Sequence, residues 1–124
     1  MDYNGMINAI CDDGIAAAKA DYRRREPPNW RIKLEGSVEG FEEARMTVSP
    51  DDLKALLTSA NKDTEDARNR EDARYWYWRC RALEIEWVAN VVSAALYSMG
   101  LPTVIIPTYR GLMKAVDILG IKEI

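Results

Sequence analysis

Between Pro50 and Gly100 the sequence contains neither proline nor glycine. Ala, Leu, Arg and Glu dominate that interval, so nothing local prevents a helix from Pro50 to Met99. Ser49 is placed to cap its start, Pro50 suits the first helical position, and Asp51 and Asp52 favour the positive end of the helix dipole. At 1.5 Å per residue such a helix would be ~75 Å long. A compact domain of 124 residues has a radius of gyration of only ~14 Å. The helix therefore either breaks, with Ser59–Asp66 the expected place, or extends along a partner subunit.

The two halves of the interval differ. From Asn61 to Arg74 the chain is charged nearly all round, with Ala67 and Ala73 its apolar residues. Asp66 and Arg70, and Arg68 and Asp72, sit four apart and support a wet helix, so a solvated arm, helical or frayed, is expected. From Tyr75 the character reverses. Tyr75, Trp78, Ala82, Ile85, Ala89, Val92, Leu96 and Met99 form one seam, with Trp76, Leu83, Trp87 and Ala94 beside it. A helix that is apolar on most of its circumference must be enclosed on most sides. The remaining elements look too few to do so, which predicts self-association into a dimer or larger assembly. Gly100-Leu101-Pro102 ends this helix. Thr103–Pro107 reads as a short buried extended piece, and Thr108 caps a final helix carrying Leu112, Met113, Val116, Ile118 and Leu119.

At the other end, Asp2 to Arg25 reads as an amphipathic helix stopped by Pro27 and Pro28. Trp30, Ile32 and Leu34 then alternate with Arg31, Lys33 and Glu35, the pattern of a half-buried strand. Gly36 and Gly40 mark a turn or bulge, and Arg45–Val48 supplies a second short strand, although Gly40–Arg45 would also fit one helical turn. The expected fold is α+β: one domain over residues 1–124, helix-dominated and oligomeric, with a small N-terminal antiparallel β-hairpin packed on long α-helices.

Composition removes several function classes. There is no histidine, and with it go the commonest general base, the usual zinc ligand and every Ser/His or Cys/His pair. A net charge of −3 disfavours binding of long nucleic acid while leaving room for a local basic pocket. No apolar run reaches ~18 residues, so no span or membrane partner is expected, and the N-terminus lacks the features of a signal peptide. Cys11 and Cys80 read as reduced, buried thiols of a cytosolic protein, with a disulfide between them as the lesser alternative. Gly36 and Gly40 form neither the dinucleotide fingerprint nor a P-loop. Asp12-Asp13, Glu42-Glu43 and the pair Glu84 and Glu86 diverge on a helix rather than converging on an ion. No catalytic set, cofactor or metal site is expected, and the protein reads as a non-enzyme.

What remains is a set of polar groups within the apolar helix: Arg79, Arg81, Glu84, Glu86, Asn90 and Ser93. Arg79, Glu86, Asn90, Ser93 and Tyr97 are spaced seven, four, three and four apart and share one stripe. Burying them unpaired costs several kcal/mol, about 2–7 each, so intra- or intersubunit pairing is one reading. The other is a pocket at the edge of the apolar bundle where arginine forks take phosphate and a ring stacks on a base. In that pocket Arg79 and Arg110 would hold phosphate, Trp76 or Tyr77 would stack, and Asn90 would read a base edge or ribose hydroxyl. Thr108, at the start of the last helix, would add a hydroxyl and backbone donors. The plain alternatives are an ordinary cap for Thr108, a surface charge for Arg110 and packing for the aromatic rings.

Two segments, Tyr77–Asn90 (Tyr-Trp-Arg-Cys-Arg-Ala-Leu-Glu-Ile-Glu-Trp-Val-Ala-Asn) and Pro107–Gly111 (Pro-Thr-Tyr-Arg-Gly), resemble small phage-encoded proteins, and among them the phage anti-Thoeris sponge family that sequesters cyclic ADP-ribose isomers. Counted from the start of the first segment to the end of the second, the resemblance spans about a third of the chain. It implies a small antiparallel sheet with long helices, assembly into dimers or higher oligomers, and a host bacterial cytoplasmic location. It also implies a pocket at a subunit interface that holds a cyclic nucleotide-type immune signal without cleaving it, with Asn90 and Arg110 in the carried-over positions. Two other functions fit the composition: a protein–protein inhibitor of a bacterial defence enzyme, in the manner of an anti-CRISPR, and a structural phage protein.

Overall fold

The computed structural model describes residues 2–122 and contains five α-helices: α1 (Tyr3–Arg25), α2 (Trp30–Arg45), α3 (Pro50–Asn69), α4 (Tyr75–Ser98) and α5 (Tyr109–Leu119). Three starts follow from side-chain caps. Asp2 accepts from the Gly5 N–H at 2.7 Å, Ser49 from Asp52 at 3.2 Å and Thr108 from Gly111 at 3.2 Å, each satisfying one of the donors a helix start leaves open. Glu26 and Gly120, both left-handed, close α1 and α5.

No strand occurs among the described residues, so the α+β fold with an N-terminal hairpin is corrected to an all-helical one. The residues read as a hairpin form α2, and the reason lies in Gly36 and Gly40. Four apart, they share one face of a helix, and that face lies directly on the α4 backbone. A Cβ at Gly36 would sit 2.2 Å from the Tyr77 carbonyl oxygen, and one at Gly40 would sit 2.6 Å from that of Arg81. These glycines are points of close approach, not turns. Ser37, Phe41 and Ala44 extend the buried stripe, and Phe41 drives its ring into the space over Gly14 of α1.

The long Pro/Gly-free interval does break, but at Arg70–Arg74 rather than within Ser59–Asp66. Glu71 takes φ 52°, and the Asp72 carboxylate accepts from the Arg74 N–H at 2.7 Å and from the Arg70 guanidinium at 2.9 Å. Those bonds hold the Asp72 carboxyl below the usual carboxylate range, the backbone N–H first. The charged segment is helical through Asn69 and largely exposed, as expected, but it is anchored along α4 rather than free. Leu53, Leu57, Ala60, Thr64 and Ala67 are buried in steps of four and three, a narrow seam of small residues along α4. The Thr64 hydroxyl lies 3.0 Å from the Trp78 carbonyl oxygen across the α3–α4 contact.

α4 is the central helix and packs against each of the other four. From Val88 to Leu96 every residue is buried. The chain's own elements therefore bury the C-terminal half of its most apolar helix, while Trp76 and Leu83 nearer its start remain exposed. The buried Arg81 ties three helices together: it pairs twice with Glu43 of α2 and reaches Asp63 of α3 at 3.3 Å. Cys11 and Cys80 are free and buried. Among the described residues no helix is long and apolar enough to cross a membrane.

Candidate functional site

The polar stripe of α4 holds the α4–α5 connection in place. Asn90 Nδ2 donates to the Thr108 hydroxyl at 2.8 Å, and Asn90 Oδ1 accepts from the Thr108 N–H at 2.9 Å. Gly111 makes this possible, since a Cβ there would lie 2.1 Å from Asn90 Oδ1. One turn further along, Ser93 Oγ accepts from the N–H groups of Val104 and Ile105 at 3.0 and 3.1 Å. Buried polar groups need such partners, and here the partners are loop backbone and the Thr108 hydroxyl. Asn90 and Thr108 are thus engaged in scaffolding.

The six residues singled out from sequence fall into two groups. Trp76, Tyr77 and Arg79 occupy the first turns of α4. The Lys33 ammonium lies 4.7 Å above the Trp76 ring and the Arg74 guanidinium 4.6 Å above Tyr77, while Arg79 is exposed. Asn90, Thr108 and Arg110 meet at the α4–α5 junction. Thirteen residues of helix separate Tyr77 from Asn90, ~20 Å along the axis, so the six do not converge on one pocket.

A groove of about 860 Å³ does open between α1, α4 and α5. It exists for two reasons legible in the elements. α5 is short and leaves the N-terminal half of α4 uncovered on this side, and α1 turns Gly14, Ala17 and Ala18 toward the gap. Tyr22, Trp87 and Tyr109 supply aromatic walls, and Arg25, Arg110 and Lys114 supply cations. The Arg110 guanidinium lies 5.8 Å above the Trp87 ring. Lys114 is paired with Asp13 at 3.1 Å and Asp21 with Arg24 at 2.9 Å. Among the described residues, Arg25 and Arg110 have no carboxylate within 4.0 Å, and neither Asp117 nor Glu84, which also line the groove, has a cation that close. The groove thus offers two uncommitted guanidinium groups beside an aromatic face.

Glu84 is the chemically distinctive group. Burial raises its pKa to about 7, and the Ser37 hydroxyl only partly offsets that. Near neutrality the carboxyl is about half protonated, presenting either a donor and an acceptor or two acceptors to a bound molecule. Tyr22, whose hydroxyl lies 3.6 Å from Cys80 Sγ, is also pushed up by burial, to about 12, and the Cys80 thiol is raised for the same reason. Neither is a ready nucleophile at neutral pH. No group of three or more potential ligands able to hold a metal ion occurs among the described residues.

Of the six residues singled out from sequence, Arg110 is the one that lines the groove. In sequence Glu84 stands among the polar groups of the apolar helix and in a diverging carboxylate pair, and Trp87 on an apolar face; neither is marked there as a site residue. The available signal was the position of Glu84, four residues from both Cys80 and Val88, inside a buried row. Compared with known proteins, the chain matches no family model, no curated protein and no solved structure.

Proposed function

We propose that this chain captures a nucleotide-type small molecule in the α1–α4–α5 groove and holds it without turning it over, as a sponge that withdraws a cyclic nucleotide-type immune signal from a bacterial host. The observation that carries the reading is the meeting, in one groove, of the Trp87 face, the unpaired Arg25 and Arg110 guanidinium groups and the Glu84 carboxyl. A base stacks on Trp87, its phosphate takes the guanidinium forks, and Glu84 pairs with the base edge. In this reading one chain supplies the whole pocket. The host-defence setting rests on the resemblance of Tyr77–Asn90 and Pro107–Gly111 and not on the fold, since that family's small sheet has no counterpart among the described residues.

Calorimetry with AMP, cyclic ADP-ribose isomers and cyclic dinucleotides tests the reading, with chromatography of the recovered ligand. At least one member binds, is recovered unchanged, and loses about tenfold or more in affinity on Trp87→Ala, the range expected for one stacked base. Silence across the panel removes the proposal, and a chemically altered ligand removes its non-enzymatic part. A second reading is favoured by the exposed apolar side chains at the α4–α5 end, Tyr97, Met99, Leu101 and Ile106, which suit a protein partner. Its sign would be binding to a purified bacterial defence enzyme that survives Trp87→Ala and is lost on Ile106→Asp.

A further inference from the structure

The open face of α4 does not stop at the groove. Trp76 and Trp87 are eleven residues apart, three helical turns to within ~20°, so they leave the helix in nearly the same direction, ~16 Å apart along its axis. Leu83 lies on the same line, lines the groove and is 41% exposed. Trp76 is 44% exposed. Beyond Trp87 the α4 surface closes, because the loop clipped by Asn90 and Ser93 covers it. The exposed strip thus carries a tryptophan at each end.

Each tryptophan has a cation over it from a flanking helix: Lys33 of α2 above Trp76 and Arg110 of α5 above Trp87. Two more cations serve the interval between them. Arg79 is exposed on α4 itself. Arg25 follows Tyr22 by one turn in α1, and the Tyr22 contact with Cys80 brings that last turn of α1 alongside α4 between Trp76 and Leu83. Neither Arg25 nor Arg79 has a carboxylate within 4.0 Å among the described residues.

We infer that the groove is one half of a two-station track that takes a phosphate-bridged pair of nucleosides, one ring at Trp87 and the other at Trp76, with the bridging phosphates on Arg25 and Arg79. The inference rests on the proposed nucleotide capture and adds to it the length and the doubled ring of the ligand. Stacking is tolerant of base identity because every base offers a π-face, so the track selects for two rings at the right separation more than for particular bases. The guanidinium forks select for the bridge.

Titration calorimetry with AMP and with oxidised nicotinamide adenine dinucleotide, a linear two-ring probe, tests it. The dinucleotide is expected to bind about tenfold or more tightly than AMP. Trp76→Ala abolishes that advantage while leaving AMP affinity unchanged, which also shows that the variant has folded around an intact groove. Arg79→Ala reduces the advantage and makes dinucleotide binding less sensitive to salt, again without changing AMP affinity. Equal affinity for the two ligands, or an advantage that survives Trp76→Ala, overturns the second station and leaves the single-station groove standing. Absence of binding by both ligands overturns the track, while nucleotide capture falls only with silence across the wider panel that includes the cyclic ligands.

Discussion

Glu84 shows how one side chain can couple a binding surface to stability. Its pKa is raised from 4.5 to about 7 by burial, so between those values the folded chain binds more protons than the unfolded one. By linkage, stability falls as pH rises through this window. The burial penalty is absent below pH 4.5 and complete above pH 7, where it amounts to about 3 kcal/mol. Glu84→Gln keeps the shape and removes the titration. Urea denaturation at pH 5 and pH 8 is expected to show the native chain losing about that much more stability than the variant over the interval. Parallel losses in the two proteins would place the carboxyl in water. This residue was hard to read in advance because a glutamate flanked by alanine, leucine and isoleucine has the same sequence appearance whether it points to solvent or into a cleft. Asn90 was misleading in the opposite way. Its position in an apolar helix does signal a specific partner, but the partner is the backbone of the following loop.

At the scale of elements, packing through bare backbone decides the fold. Gly36→Ala gains about 1 kcal/mol of helix propensity, yet places a Cβ 2.2 Å from the Tyr77 carbonyl oxygen. Rigid backbone on the far side cannot turn away as a flexible side chain would, and overpacking of this kind costs about 1–3 kcal/mol or more. A net destabilisation of up to about 2 kcal/mol is expected in chemical denaturation. A stabilised variant would show that α2 and α4 stand further apart. The same contact explains why α2 was illegible. Its glycines are the residues that sequence patterns associate with turns, and Trp30, Ile32 and Leu34, which suggested a strand by their alternation, are only half-buried on its first turns. α3 was partly hidden for a related reason: Ala60, Thr64 and Ala67 form its seam, and small residues do not announce a buried face among so many charges. Where ends are written in capping chemistry, as at Ser49-Pro50, Gly100-Leu101-Pro102 and Thr108, the sequence placed them well.

For the whole molecule, the enclosure of α4 changes what association means. Because α1, α2, α3 and α5 bury its C-terminal half within one chain, folding is expected not to need a second copy, with a urea midpoint independent of protein concentration between about 1 and 100 μM. A midpoint that rises with concentration would show that copies complete the core after all. Any self-association then belongs to the surface, where Tyr97, Met99, Leu101 and Ile106 are exposed, and the groove exists in each chain whether or not copies meet. Since the sequence contains no histidine, the Glu84 carboxyl stands nearly unaccompanied as a proton reservoir in the neutral range. A ligand that prefers one of its two forms must therefore take up or release hydrogen ions as it docks. Filling of the cleft would then register as a heat that differs between buffers of unequal ionisation enthalpy, and as a shift in the infrared absorption of a single carboxylic acid, with no label added to either partner.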